Sequence, residues 1–180
     1  TVADTICALD VDEPMQAQPI DPPTISMTFR VNDSPLAGTE GSKVTSRMIW
    51  DRLLKEAEGN VALKVTRSTE AEAFEVAGRG ELQLSVLIET MRREGFELGV
   101  SRPKVVFKED ENGERLEPIE EVVIDVDDEH SGAVVQKLSE RKAEMTEMKP
   151  SGIGRTRLVF HAPTRGLIGY QGELLSDTRG

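Results

Sequence analysis

The sequence predicts an α+β chain of two ferredoxin-like split βαβ domains, the second lacking its last strand. Three observations predict it. Short apolar runs alternate at period two, with helical spacing between them, in the order strand, helix, strand, strand, helix, strand over residues 24–108. A turn-rich stretch, Asp110-Glu111-Asn112-Gly113-Glu114, follows, and the pattern restarts beyond it. The 180 residues, 37% of them hydrophobic, suffice for two cores in domains of under about 100 residues each.

Residues 1–23 hold a short alternating piece, Thr5-Ile6-Cys7-Ala8-Leu9, and then a linker punctuated by Pro14, Pro19, Pro22 and Pro23, which fix φ and remove donors. Ile25, Met27, Phe29 and Val31 alternate within a strand over 24–31, and a Gly- and Pro-containing loop, Asn32 to Gly41, follows. Ser42 suits a helix N-cap, and Val44, Met48, Ile49, Leu53, Leu54 and Ala57 then predict a helix from Lys43 to Glu58, stopped by Gly59-Asn60. Val61, Leu63 and Val65 alternate as a second strand and residues 73–77 as a third. After Gly78-Arg79-Gly80, Leu84, Leu87, Ile88 and Met91 share one helix face, and Gly95 is placed as the left-handed residue that ends it, with Phe96 able to pack back. Residues 97–100 and 104–107 read as extended, interrupted at Pro103.

In the second unit, 119–126 reads as a strand, 131–142 as a helix through Val134, Val135 and Leu138, 156–161 as a strand, and 166–176 as a weakly patterned helix. Domain limits are therefore 1–23, 24–108, a linker at 109–115, and 116–180.

The formal charge of −11 argues against indiscriminate coating of nucleic acid, which needs surplus Lys and Arg. A lone Cys7 forms no intrachain disulfide and supplies no Cys-x-x-Cys metal spacing, so a reducing compartment, the cytoplasm, is expected. No apolar run approaches the roughly 18 residues of a membrane span. The opening at Thr1, without an initiator Met, suggests a segment of something longer.

Gly78-x-Gly80 lies between strand and helix, where Gly-rich loops cradle phosphates, but it lacks the third Gly of a dinucleotide site and the Gly-Lys-Ser/Thr of a nucleotide loop. It reads instead as a tight corner needing positive φ, with Glu81 favoured by the helix dipole. Asp125, Asp127, Asp128, Glu129 and His130 form an acidic run without the order of a calcium loop, and read as a strand end and helix cap. Nothing places a carboxylate behind Cys7, His130 or His161, so no catalytic, cofactor-binding or metal-ligating residue is assigned. Arg92 and Arg93 suit a helix C-terminus. Arg155 and Arg157 share one strand face, and Arg165 stands beside Gly166; the first two could meet RNA phosphates or belong to a solvated face of mixed charge. An aromatic content of 4% argues against base stacking as the main contact mode.

Phe29-Arg30-Val31-Asn32-Asp33-Ser34-Pro35, Glu40-Gly41-Ser42-Lys43-Val44-Thr45-Ser46-Arg47, Gly78-Arg79-Gly80-Glu81-Leu82, Met91-Arg92-Arg93-Glu94-Gly95-Phe96-Glu97-Leu98 and Ser101-Arg102-Pro103-Lys104 together resemble the BipA/TypA ribosome-associated translational GTPases. Leu138-Ser139-Glu140-Arg141-Lys142 and Arg165-Gly166-Leu167-Ile168-Gly169-Tyr170 look like the same family's later domain. The resemblance implies that residues 24–108 are similar to the third domain of elongation factor G, residues 116–180 to its fifth, and residues 1 to about 12 to the end of a preceding β-barrel.

It further implies a non-catalytic, ribosome-docking middle segment of a GTPase. GTP and Mg would be bound by a nucleotide-binding domain upstream, and a distinctive C-terminal domain would lie downstream. The implied partners are rRNA, ribosomal proteins and the parent's own GTPase and C-terminal domains, with no membrane; the implied roles are stress adaptation or large-subunit assembly. Lys43 and Arg47 become candidates for facing the GTPase domain, with the loop before them, and Arg155, Arg157 and Arg165 for rRNA or ribosomal-protein contact. Two positions depart from the pattern. Gln83 stands where His is common, and Gln171 where a basic residue is common. The rival readings are a freestanding small-ligand or regulatory module of the same fold and an enzyme active by itself.

Overall fold

The computed structural model describes residues 4–11, 13, 15, 16 and 20–179, so Pro14 and Pro19 of the expected linker lie outside the described residues. The chain divides into two compact units, Thr1–Lys104 and Val105–Gly180.

The first unit runs β1 (Ile25–Val31), α1 (Ser46–Gly59), β2 (Lys64–Arg67), β3 (Ala73–Gly78), α2 (Glu81–Arg93) and β4 (Leu98–Val100), with a short β5 (Lys104–Val105) added to β1. The sheet order β2-β3-β1-β4, with antiparallel neighbours, is that of a split βαβ unit. Registers of Phe29 with Phe74 and Met27 with Val76 put the apolar alternation of both strands on one face. That face meets Ile49 and Leu53 of α1 and Leu84, Leu87 and Met91 of α2, which form one buried cluster with Ile25, Phe29, Phe74 and Val76.

Two local expectations are corrected here. The first helix begins at Ser46 rather than Lys43, and its N-cap is Thr45, whose hydroxyl accepts from the Met48 amide at 3.4 Å, not Ser42. Lys43 cannot be helical because its backbone is spent elsewhere. Its N–H donates to Gly95 O at 3.0 Å and its carbonyl accepts from Glu97 N at 3.2 Å, a parallel bridge to Phe96. Second, neither Gly78 nor Gly80 adopts positive φ, and Gly80 sits in extended backbone at φ −176°. Gly78 is required by space instead, since a β-carbon there would lie 2.7 Å from Gln83 Oε1 and 3.1 Å from the buried Leu84 Cδ2. Gly95 does take the left-handed conformation, φ 86°, and Phe96 N–H returns to Met91 O at 3.0 Å as its ring packs into the core.

The second unit opens with a small hairpin, β6 (Lys108–Glu109) and β7 (Arg115–Leu116), around the Asp110–Glu114 turn. It continues β8 (Ile119–Asp127), α3 (Asp128–Glu140), β9 (Glu144–Gly152), β10 (Arg155–Pro163), α4 (Thr164–Leu167) and α5 (Tyr170–Thr178). The three-stranded order β8-β10-β9 is the same split βαβ plan with three strands among the described residues. Ile124, Val126, Leu158 and Phe160 of the sheet pack with Val134 and Leu138 of α3 and Tyr170 of α5.

α3 starts at Asp128, three residues ahead of the expected Ser131, and β9, at the edge of the sheet where a proline is tolerated, extends through Pro150. The expected helix over 166–176 is two pieces, because Gly169 at φ 75° breaks it. Arg141 occupies the break, its Nη1 donating to Gly166 O at 2.8 Å and Ile168 O at 3.3 Å. Thr5–Leu9, expected as a strand, carries none, and no strand pairs with it among the described residues.

Candidate functional site

β8 and β10 align Arg155 opposite Asp127 and Arg157 opposite Asp125, so the alternation that puts both arginines on one face puts both aspartates beside them. Arg155 Nε lies 3.1 Å from Asp127 Oδ1, and Arg157 grips Asp125 through two bonds of 2.9 and 2.8 Å. The Arg157 guanidinium, helped by the Ser151 hydroxyl, holds the Asp125 carboxyl at about 2, and Asp125 in turn raises Arg157. The rest of the acidic run is also absorbed locally. Asp128 accepts from the Thr156 hydroxyl at 2.6 Å, and Glu129 lies 3.3 Å from His130 Nε2. Asp127 stands at the cap position of α3 without capping through its side chain, which goes to Arg155.

Arg165 lies past the far end of β10 from Arg155, the two ends of the nine-residue strand being about 26 Å apart at ~3.3 Å per residue. It pairs with Glu117 at 2.8 and 3.3 Å, which raises it. The structure therefore gathers Arg155 and Arg157 and leaves Arg165 apart. All three are presented as ion pairs rather than as free cations.

Lys43 and Arg47 do not share a surface. Lys43 places its ammonium 4.7 Å from the Phe96 ring centroid, within a depression that Arg52 and Glu94 also line. Arg47 projects into another, beside Trp50 and Arg67. In the depression with Lys43, Arg52, 15% exposed, ties α1 to the end of α2, bonding Glu94 at 2.7 and 2.9 Å and Glu56 at 2.8 Å. The Glu94 bond is the main cause that raises the guanidinium, against the cost of burial, and the Glu94 carboxyl is lowered in return.

The loop from Asn32 to Gly41 is held by Glu97. Its carboxylate accepts from the amides of Gly38, Glu40 and Gly41, the last two at 2.6 and 3.1 Å, and from Asn32 Nδ2 at 3.5 Å, and the Gly38 and Glu40 bonds lead in lowering it. No local pattern marks Glu97, because its amide partners Gly38, Glu40 and Gly41 lie 56–59 residues away. Trp50 was equally silent within its helix, yet it packs on Phe74 at 5.1 Å and carries Arg67 over its ring at 5.0 Å. Its one signal was being the chain's single Trp.

The Gly78–Gly80 corner does not suit a phosphate. The Arg79 amide already donates to Gln83 Oε1 at 2.8 Å, and the Gly78 and Arg79 carbonyls point at Thr24, accepting from its N–H at 3.0 Å and its hydroxyl at 2.9 Å.

Residues 114–180 match the family model described as elongation factor G C-terminus. The large ribosomal subunit assembly factor BipA of Escherichia coli (strain K12) is 53% identical over 179 residues, 99% of this chain and 29% of that protein. The proteins of the same name from Salmonella typhimurium and Bacillus subtilis are 54% and 50% identical over the same shares. The chain thus spans 29% of the length of these relatives. A crystal structure of a protein from Thermus thermophilus shares the fold with a TM-score of 0.54 at 14% identity, covering 93% of this chain and 40% of that one. With such identity sustained over 99% of its length and a match to the elongation factor G C-terminus in its second unit, the chain is strongly similar to a 29% stretch of the BipA proteins.

Proposed function

We propose that this chain is the ribosome-docking middle segment of a BipA/TypA-like translational GTPase that serves large-subunit assembly or ribosome-linked stress adaptation in the cytoplasm. The observation that carries the reading is 50–54% identity over 99% of the chain to proteins named large ribosomal subunit assembly factor. The chemistry of the parent, GTP hydrolysis with Mg, belongs to a domain outside these residues, and this segment supplies contact surfaces. Two observations agree with that division: in the Gly78–Gly80 corner the Arg79 amide and the Gly78 and Arg79 carbonyls are committed internally, and the loop's Gly38, Glu40 and Gly41 amides are spent on Glu97. In this reading Lys43 and the loop before it face the GTPase domain, Arg47 opens instead on the separate depression beside Trp50, and Arg155, Arg157 and Arg165 exchange carboxylate partners for ribosomal ones on docking.

Sedimentation of the full-length protein with 50S and 70S particles across a salt series tests it. Salt-sensitive binding is expected, weakened and with a flatter salt slope when Arg155, Arg157 and Arg165 are replaced by Ala, by about one unit of slope per lost phosphate contact. Unchanged affinity and slope would remove the three arginines from the interface, and absence of particle binding would remove the docking reading. GTP hydrolysis above background by the 180 residues alone would show that the segment is catalytic.

A further inference from the structure

We propose that the cleft beside Trp50 in the first unit binds one unstacked nucleotide of single-stranded RNA, its base laid on the Arg67–Trp50 stack and its phosphate against Arg47. The inference rests on the ribosome-docking reading and gives that reading a specific contact. The cleft, open to solvent, has a volume of about 540 Å³ and lies between the start of α1 and the β2–β3 turn. That volume lies within the roughly 300–1,000 Å³ of small-molecule sites.

Its floor is a ladder. Arg67 and Phe74 are paired across β2 and β3, so both side chains rise on the helix-covered face, where Trp50 of α1 meets them. Phe74 packs against Trp50 at 5.1 Å with the two rings tilted by 35°, and the Arg67 guanidinium lies 5.0 Å from the Trp50 ring as the outermost, exposed rung. A guanidinium over an aromatic ring is weakly hydrated and itself planar, which suits it as a platform on which an unpaired base stacks.

The charges select the same ligand. Arg155, Arg157 and Arg165 are each gripped by a carboxylate at 3.1 Å or less. Arg67 has no ion pair among the described residues, and Arg47, 90% exposed, has only a 3.8 Å pair with Asp51. In a chain of charge −11 these two arginines remain open to an anion. Ser68 and Thr69 supply hydroxyls, while Glu70 and Glu72 line the same cleft. Carboxylates repel a run of phosphates but accept from a base's amino group, so the cleft suits a single splayed nucleotide, not a duplex backbone. A phosphorylated peptide would satisfy the arginines and leave the stack unused.

Because Trp50 is the chain's single Trp, its emission reports on this cleft directly. The 180-residue chain is titrated with a short oligoadenylate, AMP, inorganic phosphate and a phosphoserine peptide. Oligoadenylate and AMP are expected to quench Trp50 saturably, and phosphate and the peptide to leave it unchanged. Arg67→Ala should weaken oligoadenylate binding about five- to hundredfold, the range for loss of one stacking contact. Arg67→Lys keeps the charge and loses the plane, so it should weaken binding as well, with an unaltered melting curve confirming its fold. Arg47→Ala should flatten the salt slope by about one unit, and Arg93→Ala, on α2, should change nothing.

No quenching by either nucleotide ligand overturns the proposal. So does equal quenching by inorganic phosphate or by the peptide, or equal loss in Arg93→Ala. If quenching fails while the full-length protein still sediments with 50S particles, the cleft assignment falls and docking stands. If quenching occurs and sedimentation does not, the cleft is an RNA site and the docking reading falls.

Discussion

At Gly166 a β-carbon would run into the Arg141 carbonyl, a backbone atom that cannot swing aside, while the Gly166 carbonyl itself accepts from Arg141 Nη1 at 2.8 Å. Gly166→Ala must therefore push α4 away from the end of α3 and stretch that bond. A loss of roughly 1–3 kcal/mol is expected, the usual cost of overpacking, read from denaturant unfolding. A variant within experimental error of the parent would show the close approach to be slack. Tyr170 gives the opposite case. Its ring is 4% exposed under the Arg141 guanidinium, and its hydroxyl has no hydrogen-bond partner among the described residues. Burial leads in raising it, the Asp177 and Glu173 charges add to that, and the Arg141 and Lys137 charges oppose it. Removing an unpaired buried hydroxyl recovers its desolvation penalty, so Tyr170→Phe should leave stability unchanged or raise it by up to about 1 kcal/mol. A fall in melting temperature would mean that the hydroxyl has a partner after all.

α2 was legible in the sequence because its apolar positions, its acidic first turn, its basic last turn and Gly95 all say the same thing. The start of α1 was not legible. Ser42 and Thr45 are both good caps, and the choice was made by the Lys43 backbone pairing with Phe96, 53 residues away. α5 was blurred because Gly169 interrupts it and Arg141, from another element, satisfies the carbonyls that the break exposes. The candidate site divides in the same way. Period two placed Arg155 and Arg157 on one face, but their neutralisation by Asp127 and Asp125 depends on the β8–β10 register, which turn spacing alone did not fix. The joint between α1 and α2 rests likewise on a long-range pair. Arg52, 15% exposed, makes three charge-assisted bonds, two of them to Glu94 beyond the end of α2. Arg52→Ala should cost about 1–3 kcal/mol, and Arg52→Lys less in charge but as much in geometry, since one ammonium cannot reproduce the fork. Equal stability of all three proteins in urea would show the pairs to be surface ornaments of the kind that contribute little.

Over the whole molecule the excess of carboxylates is organised rather than merely tolerated. Arg92 and Arg93 converge on Glu89 and hold it at about 2, as Arg157 does Asp125. Glu94, Glu97, Asp110 and Glu173 are lowered by Arg52, by the Gly38 and Glu40 amides, by the Glu114 amide and by Arg141 respectively. Each of these groups binds its proton more weakly folded than unfolded, so the unfolded chain takes up more protons as pH falls. Their contribution is complete above the ordinary carboxylate value of 3.8–4.5 and is lost as pH descends toward about 2. From pH 7 down to the isoelectric region near 4.8 a different term acts, because the formal charge of −11 shrinks and self-repulsion with it. The melting temperature should hold or rise over that first interval and fall steadily below pH 4.5. Added salt should flatten both limbs, since the groups involved are exposed and screened. Glu97→Gln isolates one of them: the amide keeps the shape and loses most of the charge-assisted acceptance from Gly38, Glu40 and Gly41, so those three amides should exchange faster at neutral pH and the loss on acidification should shrink. A melting temperature that stays level from pH 4.5 to 2, or rises there, would show that the depressed carboxylates are as well served in the unfolded chain as in the folded one.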